Sequence, residues 1–307
     1  MANERQTPPV AGELLELAVT VARRAAEVVR ARRAEGVADV GTKSTVTDLV
    51  TEADRAVERL IVEQIRQRRP RDEFLGEEYG SVSGADHRGE EPALGGADQD
   101  GTVRWVVDPI DGTVNFVYGL PVYAVSIAAQ IAGRSVAGVV VNAATGEEWT
   151  ASHGGGAWRD GRPLWRGDTR RGEARPGGPG RGDTRPGDTR AGVTDLGQAL
   201  VATGFAYDAA ARARQAAVVA GVLPRVRDIR RFGAASVDLC YVAEGRLDAY
   251  FERGLNPWDH AAAGLVAVEA GLVVTGLRGA PPGADMVLAA PPALHGPLHD
   301  LLVSLDA

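Results

Sequence analysis

Four short segments of the chain carry carboxylates where a strand end or a helix start could present them. In WVVDPIDGT, residues 105–113, Asp108 closes an apolar run and Asp111 follows three residues later. Pro109 lacks the N–H that would extend a strand ladder, so the chain is expected to turn there. Two carboxylates on one tight turn repel each other unless a cation lies between them. The N–H groups of Gly112 and Thr113 would suit a phosphate if a helix opens there. A type I turn with Asp in its habitual places explains the same residues equally well. GEE at 76–78 follows another apolar pair, Phe74–Leu75, and alone says little. In LVTEAD, residues 49–54, Thr51 and Asp54 have the spacing of a helix N-cap and its capping-box partner. In NPWDHAAAG, residues 256–264, Asp259 reads as the N-cap of an Ala-rich helix.

The four segments mean more together than apart, because strand ends and helix starts are the positions that converge at one edge of a sheet. Carboxylates gathered without His or Cys select hard cations, chiefly Mg²⁺. His153, His260 and the other histidines show no ligand spacing, and His260 reads as a structural or rim residue. No GxxxxGK[ST] is present, which excludes a P-loop protein. No proper nucleophile elbow supports serine hydrolase chemistry.

The elements that must position these groups can be read from periodicity. Leu14, Leu15, Ala18, Val21, Ala22, Ala25, Val28 and Val29 recur at helical spacing, predicting an amphipathic helix over 12–35. A second helix is expected from Thr51 to about Arg69, stopped by Pro70. Short strands are expected at 74–76 and 104–107, and paired strands at 122–130 and 136–142 around the turn Ala132–Ser135. After residue 190 the pattern predicts strands at 199–203, 247–251 and 286–289. It predicts helices at 209–223, 236–244, 260–270 and 294–302, with Gly245 and Gly271 closing two of them. Residues 81–102 read as an acidic surface excursion. Residues 166–190 are low in complexity: RGDTR occurs twice, and seven Arg stand among seven Gly and three Pro without a large apolar side chain. That composition predicts a disordered insert.

The chain has 307 residues, 44% of them hydrophobic, enough for a substantial core. Acids outnumber bases 41 to 34, for a net charge of −7, which argues against a general nucleic-acid coat. A single cysteine, Cys240, excludes an internal disulfide or zinc cluster and reads as a buried core residue in a reducing compartment. No apolar run is long enough to span a membrane and the first residues have no signal core, so a cytoplasmic protein is expected. The architecture expected from the alternating helices and strands is mixed α and β.

WVVDPIDGTVNF and NPWDHAAAGLVAVEAG resemble the two signatures of the inositol monophosphatase family of Mg²⁺-dependent, lithium-sensitive phosphatases. The order Lys43…Asp48…Thr51…Asp54, then Gly76-Glu77-Glu78, then the two signatures, is also similar, and the resemblance covers residues 12–303 apart from the insert. It implies a layered αβαβα sandwich, with residues 1–193 supplying most metal ligands and 194–307 completing the active site. It implies two or three Mg²⁺ ions: Glu77, Asp108 and the Ile110 carbonyl at the first, Asp108, Asp111 and Asp259 at the second, and a weaker third near Glu77. Gly112 and Thr113 would cradle the phosphate, and Asp54 and Thr113 would position the water. Asp111, Ala235, Glu252 and Asp259 would face the substrate. Two departures stand out: Leu272 where the second signature usually has Gly, and Val114 where the first commonly has Thr. The resemblance further implies a homodimer and a small phosphorylated polyol as substrate. Histidinol phosphate is the alternative substrate, and a polymerase- or ribosome-associated binding role is the alternative of another class.

Overall fold

The apolar stripe of the first helix does what its spacing predicts. In the computed structural model, which describes residues 9–36, 41–42, 49–82, 102–164 and 192–307, α1 (Pro9–Glu35) buries Leu14, Ala18, Val21, Ala22, Ala25 and Val29. The opposite face keeps Arg23 and Arg24 in ion pairs with Glu148 and Glu27. Lys43, Asp48, most of the acidic excursion and the 166–190 insert lie outside the described residues.

Two small strands, β1 (Gly41–Thr42) and β2 (Leu49–Val50), pair ahead of α2 (Glu52–Arg68). An eight-stranded sheet follows. It is built from β3 (Glu73–Gly76), β4 (Gly80–Val82), β5 (Val103–Asp111), β6 (Ala124–Ile131), β7 (Arg134–Asn142), β8 (Glu148–Ser152), β9 (Gly156–Arg159) and β10 (Arg162–Leu164). Their order is β10-β9-β8-β7-β6-β5-β3-β4, and only β3 and β5 run parallel. A second sheet of five strands comes from β11 (Leu200–Thr203), β12 (Asp228–Arg230), β13 (Ala249–Glu252), β14 (Val273–Thr275) and β15 (Val287–Ala290), in the order β12-β11-β13-β15-β14.

Side-chain alternation along the strands sorts the residues into layers. Trp105, Val107, Ile127 and Val139 pack under α1 and α2. Val106, Ala128 and Val140 face the other way, against α5 (Ala235–Glu244) and α6 (Pro257–Glu269). The second sheet lays Ala202, Tyr250, Val287 and Ala289 on those same helices. Its far side, with Val201, Ala249, Phe251 and Leu288, is covered by α4 (Ala209–Val222) and α7 (Pro292–Ser304). The result is the layered αβαβα sandwich. Burial on all sides explains why α5 is mostly apolar, with Ala235 to Ala243 all buried.

The structure corrects several local expectations. β5 does not turn at Pro109; it continues to Asp111 with a register shift between Asp108 and Asp111. A proline is accommodated at such a bulge because no ladder bond is asked of its nitrogen. Strands β8, β9 and β10 escape the periodicity argument because their stretch is broken by left-handed turn residues, Gly154, Gly156 and Gly161. Strands β12 and β14 have three residues each, too few for a period-2 signal. The helix expected from His260 begins at Pro257, and its N-cap is Asn256 rather than Asp259.

Candidate active site

The DPIDGT segment sits at the far end of β5, and the bulge aims its two aspartates. Asp108 is buried, and its Oδ1 accepts the Ile110 N–H at 3.0 Å. Asp111 is also buried, and its Oδ2 accepts from the Ser236 N–H at 2.8 Å and hydroxyl at 2.5 Å at the start of α5. Gly112 follows with φ 89°, a left-handed conformation that favours glycine. A Cβ there would lie 2.9 Å from the Val122 carbonyl oxygen and 3.1 Å from the Ala234 Cβ. This glycine is therefore required by conformation and by space. The short helix α3 (Thr113–Tyr118) starts immediately after it. Its Asn115 is buried and donates to the carbonyls of Val122 and Phe232, both at 2.7 Å, tying the DPIDGT loop to the chain entering α5.

At α2 the capping reading of LVTEAD holds, and Asp54 also reaches the DPIDGT loop. Thr51 and Asp54 form a capping box. The Thr51 N–H donates to Asp54 Oδ2 at 2.8 Å, and the other carboxylate oxygen, Oδ1, accepts the Thr113 hydroxyl at 3.2 Å. Thr113 Oγ1 is also 3.1 Å from the Ile110 carbonyl oxygen. Burial raises the Asp54 carboxyl to about 6; the Thr51 bonds oppose that rise, and Glu77 and Glu78 add to it.

Glu77 leaves β3 beside β5, with its N–H on the Val107 carbonyl at 3.3 Å. What holds the GEE turn is Glu58 of α2, whose carboxylate accepts the N–H groups of Glu78 at 2.8 Å and Tyr79 at 3.1 Å. Gly76 makes room for it, since a Cβ there would collide with the Glu58 carboxylate. Asp259 is the N3 residue of α6, and its Oδ2 accepts the Asn256 N–H at 2.6 Å. Its capping role is therefore real but belongs to a box, and one carboxylate oxygen is left over.

Glu77, Asp108, Ile110, Asp111, Gly112, Thr113, Ala235, Glu252 and Asp259 all line one pocket of about 430 Å³. Asp54 stands just behind it through Thr113. Burial pushes the Asp108 carboxyl well above the ordinary carboxylate range, and Glu77, Asp111 and Asp259 push it further. Asp259 is raised in the same way, by burial and by Asp111. Such mutual repulsion is relieved by protons or by cations. Burial also raises Asp111, while Ser236, Ala235 and Arg231 hold it down. Among the described residues, no three His, Cys, Asp or Glu side chains stand ready-spaced around one metal position. One oxygen of Asp108, Asp111 and Asp259 is occupied by a backbone N–H. An all-oxygen donor set of clustered carboxylates nevertheless fits Mg²⁺, which keeps several waters and takes few protein ligands.

Glu252, on the facing wall, accepts the Tyr250 hydroxyl at 2.6 Å, and burial raises it to about 7. His260 is lowered to about 4 by burial, which suits a structural role. Glu58, Asn115, Ser236 and Arg231 are functional neighbours that the sequence reading missed. The first three act by hydrogen bonds across 20, 117 and 125 residues of chain, which no local pattern announces.

The family model described as "Inositol monophosphatase family" matches residues 11–305. An inositol-1-monophosphatase of Mycobacterium leprae is 43% identical over 91% of this chain and 89% of its own. The Nus factor SuhB of Escherichia coli K12 is 36% identical over 87% of this chain and 86% of its own. The solved structure of Mycobacterium tuberculosis SuhB superposes with a TM-score of 0.70 at 38% identity, covering 96% of this chain and 97% of the other. No helix among the described residues is long and apolar enough to cross a membrane.

Proposed function

The chain belongs to the inositol monophosphatase family, and from that premise we propose that it is a Mg²⁺-dependent phosphomonoesterase acting on inositol monophosphate or a similar polyol phosphate. The observation that carries this reading is the convergence of Glu77, Asp108, Asp111 and Asp259 on one pocket, with the Asp54–Thr113 pair at its inner wall. In this reading residues 1–193 contribute Asp54, Glu77, Asp108, Asp111 and the Gly112–Thr113 loop. Residues 194–307 complete the site with Ala235, Glu252 and Asp259.

Glu77, Asp108, Asp111, Asp259 and the Ile110 carbonyl would hold two to three Mg²⁺ ions. Bound there, the ions neutralise the phosphate charge and make a water more acidic. The remaining work falls to the chain. The N–H groups of Gly112 and Thr113 bind phosphate oxygens, and the left-handed Gly112 turns them inward. The Thr113 hydroxyl, donating to Asp54 Oδ1, orients the attacking water. Asp54, at about 6, is largely ionised at neutral pH and takes up the water's proton through that hydroxyl. The Glu252 carboxylate receives a hydroxyl of the leaving group. The Ala235 N–H is already directed at Asp111, so Ala235 shapes the wall and steadies Asp111.

Phosphate release from inositol 1-phosphate, with and without EDTA, tests the reading. No release in Mg²⁺, or release that survives thorough chelation, would refute it. The same assay with histidinol phosphate ranks the two substrates. Inhibition by millimolar Li⁺ and a homodimer by light scattering are further expectations. The 36% identity to a protein named Nus factor supports a second reading, a binding role in transcription. A pull-down with RNA polymerase would test it.

A further inference from the structure

We propose that Gln215 of α4 is a positioning residue for Glu252: its side-chain amide clamps together the two loops that hold that carboxylate against the leaving group. This rests on the phosphomonoesterase reading, and in particular on the contact between Glu252 and a leaving-group hydroxyl.

Glu252 ends β13, and two loops meet around it. Residues 204–208 leave β11 and run into α4, and residues 253–256 leave β13 and run into α6. Strands β11 and β13 are parallel neighbours, with Thr203 opposite Phe251, so the loops start side by side. Both loops line the pocket that holds Asp108, Asp111 and Asp259. Gly204 packs directly on Glu252, since a Cβ there would collide with both carboxylate oxygens. Gly254, at φ 91°, brings the loops close: a Cβ on it would lie 3.9 Å from that of Ala206.

Gln215 lies in the second turn of α4 and reaches both loops. Its Oε1 accepts the Ala206 N–H at 2.9 Å, and its Nε2 donates to the Arg253 carbonyl at 3.0 Å. One loop offers a donor and the other an acceptor, a pair that an amide satisfies and a carboxylate does not. Other bonds fix each loop separately. Arg212 donates to the Tyr207 carbonyl at 2.9 Å, and the Gly254 N–H donates to the Ala284 carbonyl at 2.7 Å. Gln215 spans the two.

Packing gives this clamp little support. Of the 14 residues of α4 only Val222, at its far end, is buried. The helix stands over a cavity of about 640 Å³ that Gln215, Val218, Val219, Phe251 and Met286 line. A segment with so few buried contacts is held by its polar ones. Without the clamp, Glu252 keeps the Tyr250 hydroxyl at 2.6 Å but loses the fixed spacing of the loops on either side. The DPIDGT loop is anchored elsewhere, through Ser236 and Asn115. The effect therefore falls on recognition of leaving-group hydroxyls.

Gln215→Met keeps the length of the side chain and removes both bonds. Gln215→Glu keeps the acceptor for Ala206 and sets a carboxylate against the Arg253 carbonyl. The full-length protein and both variants are assayed in Mg²⁺ on inositol 1-phosphate and on cyclohexyl phosphate, which offers Glu252 no hydroxyl. The wild type is expected to favour inositol 1-phosphate by about tenfold or more in kcat/KM. Both variants lose most of that preference, through a raised KM for inositol 1-phosphate more than through kcat. In metal-free protein, Gln215→Met also speeds amide hydrogen exchange in residues 204–208. A role confined to stabilising α4 predicts a lower melting temperature with the preference intact. A preference within about twofold of wild type in both variants, or unchanged exchange at 204–208, overturns the assignment. Should Gln215→Met fail to fold, Gln215→Glu decides, since it retains one of the two bonds. A wild type that hydrolyses neither compound overturns the phosphomonoesterase reading, and one that hydrolyses both equally overturns the Glu252 contact; this inference falls with either.

Discussion

Replacing Asp259 with Asn separates the two tasks this residue combines. As N3 of the α6 capping box it accepts the Asn256 N–H through Oδ2 at 2.6 Å. An amide oxygen can accept the same bond, so loss of helix stability stays below about 1 kcal/mol. As a proposed Mg²⁺ ligand it offers negative charge beside Asp111 and Glu77, and the amide does not. Removing one electrostatic stabiliser of a transition state costs about 10²-fold in turnover or more, roughly 3 kcal/mol. Stability without metal moves the other way. Burial and the Asp111 and Glu77 charges push the Asp259 carboxyl well up, so deleting its charge relieves repulsion. The measurements are kcat on inositol 1-phosphate at saturating Mg²⁺ and melting temperature in EDTA. Asp259→Asn should show a loss of about 10²-fold in the first and an unchanged or raised value in the second. Turnover within threefold of wild type would return Asp259 to a purely capping role and refute the ligand assignment.

Other consequences can be checked separately. Asn115→Ala strips both 2.7 Å bonds from the carbonyls of Val122 and Phe232, and urea melts should show a loss of about 2–4 kcal/mol. Gly112→Ala forces a side chain into a left-handed backbone 2.9 Å from the Val122 oxygen. It should cost about 1–3 kcal/mol and lower kcat, and a variant as stable and active as wild type would contradict that geometry. Thr113→Val deletes the hydroxyl that reaches Asp54 and should reduce kcat by about 10²-fold, whereas Thr113→Ser should keep most of it. Glu252 binds its proton more tightly folded than unfolded, about 7 against an ordinary 4.5. Its contribution to stability is therefore full below about 4.5 and is lost as pH rises through about 7. In EDTA the melting temperature should fall between pH 5 and 8, and fall less steeply for Glu252→Gln.

Residue types and local spacing were enough to locate the site's parts. Apolar periodicity determined α1 and α2, and strand-like runs determined the central β5, β6 and β7. The two signatures and their order picked out carboxylates that the fold brings to one pocket, because a segment such as DPIDGT keeps two of them within a few residues. The reach of local information ends at the same scale. Thr51 and Asp54 look like a cap from sequence, and only the fold brings the Thr113 hydroxyl, 59 residues away, onto the second oxygen of Asp54. Asp259 reads as an N-cap until Asn256 takes that place, since several polar residues near a helix start compete for one role and packing decides among them. Strands β8 to β10, at one end of the sheet, carry weak patterns because a sheet already begun supplies their partners. Glu58, Ser236 and Arg231 owe their roles to neighbours at Gly76, Asp111 and Gly233, where a carboxylate is met or a side chain is missing. Those contacts depend on how layers stack and how closely backbones approach, a matter of three-dimensional distance that no run of residues along the chain contains.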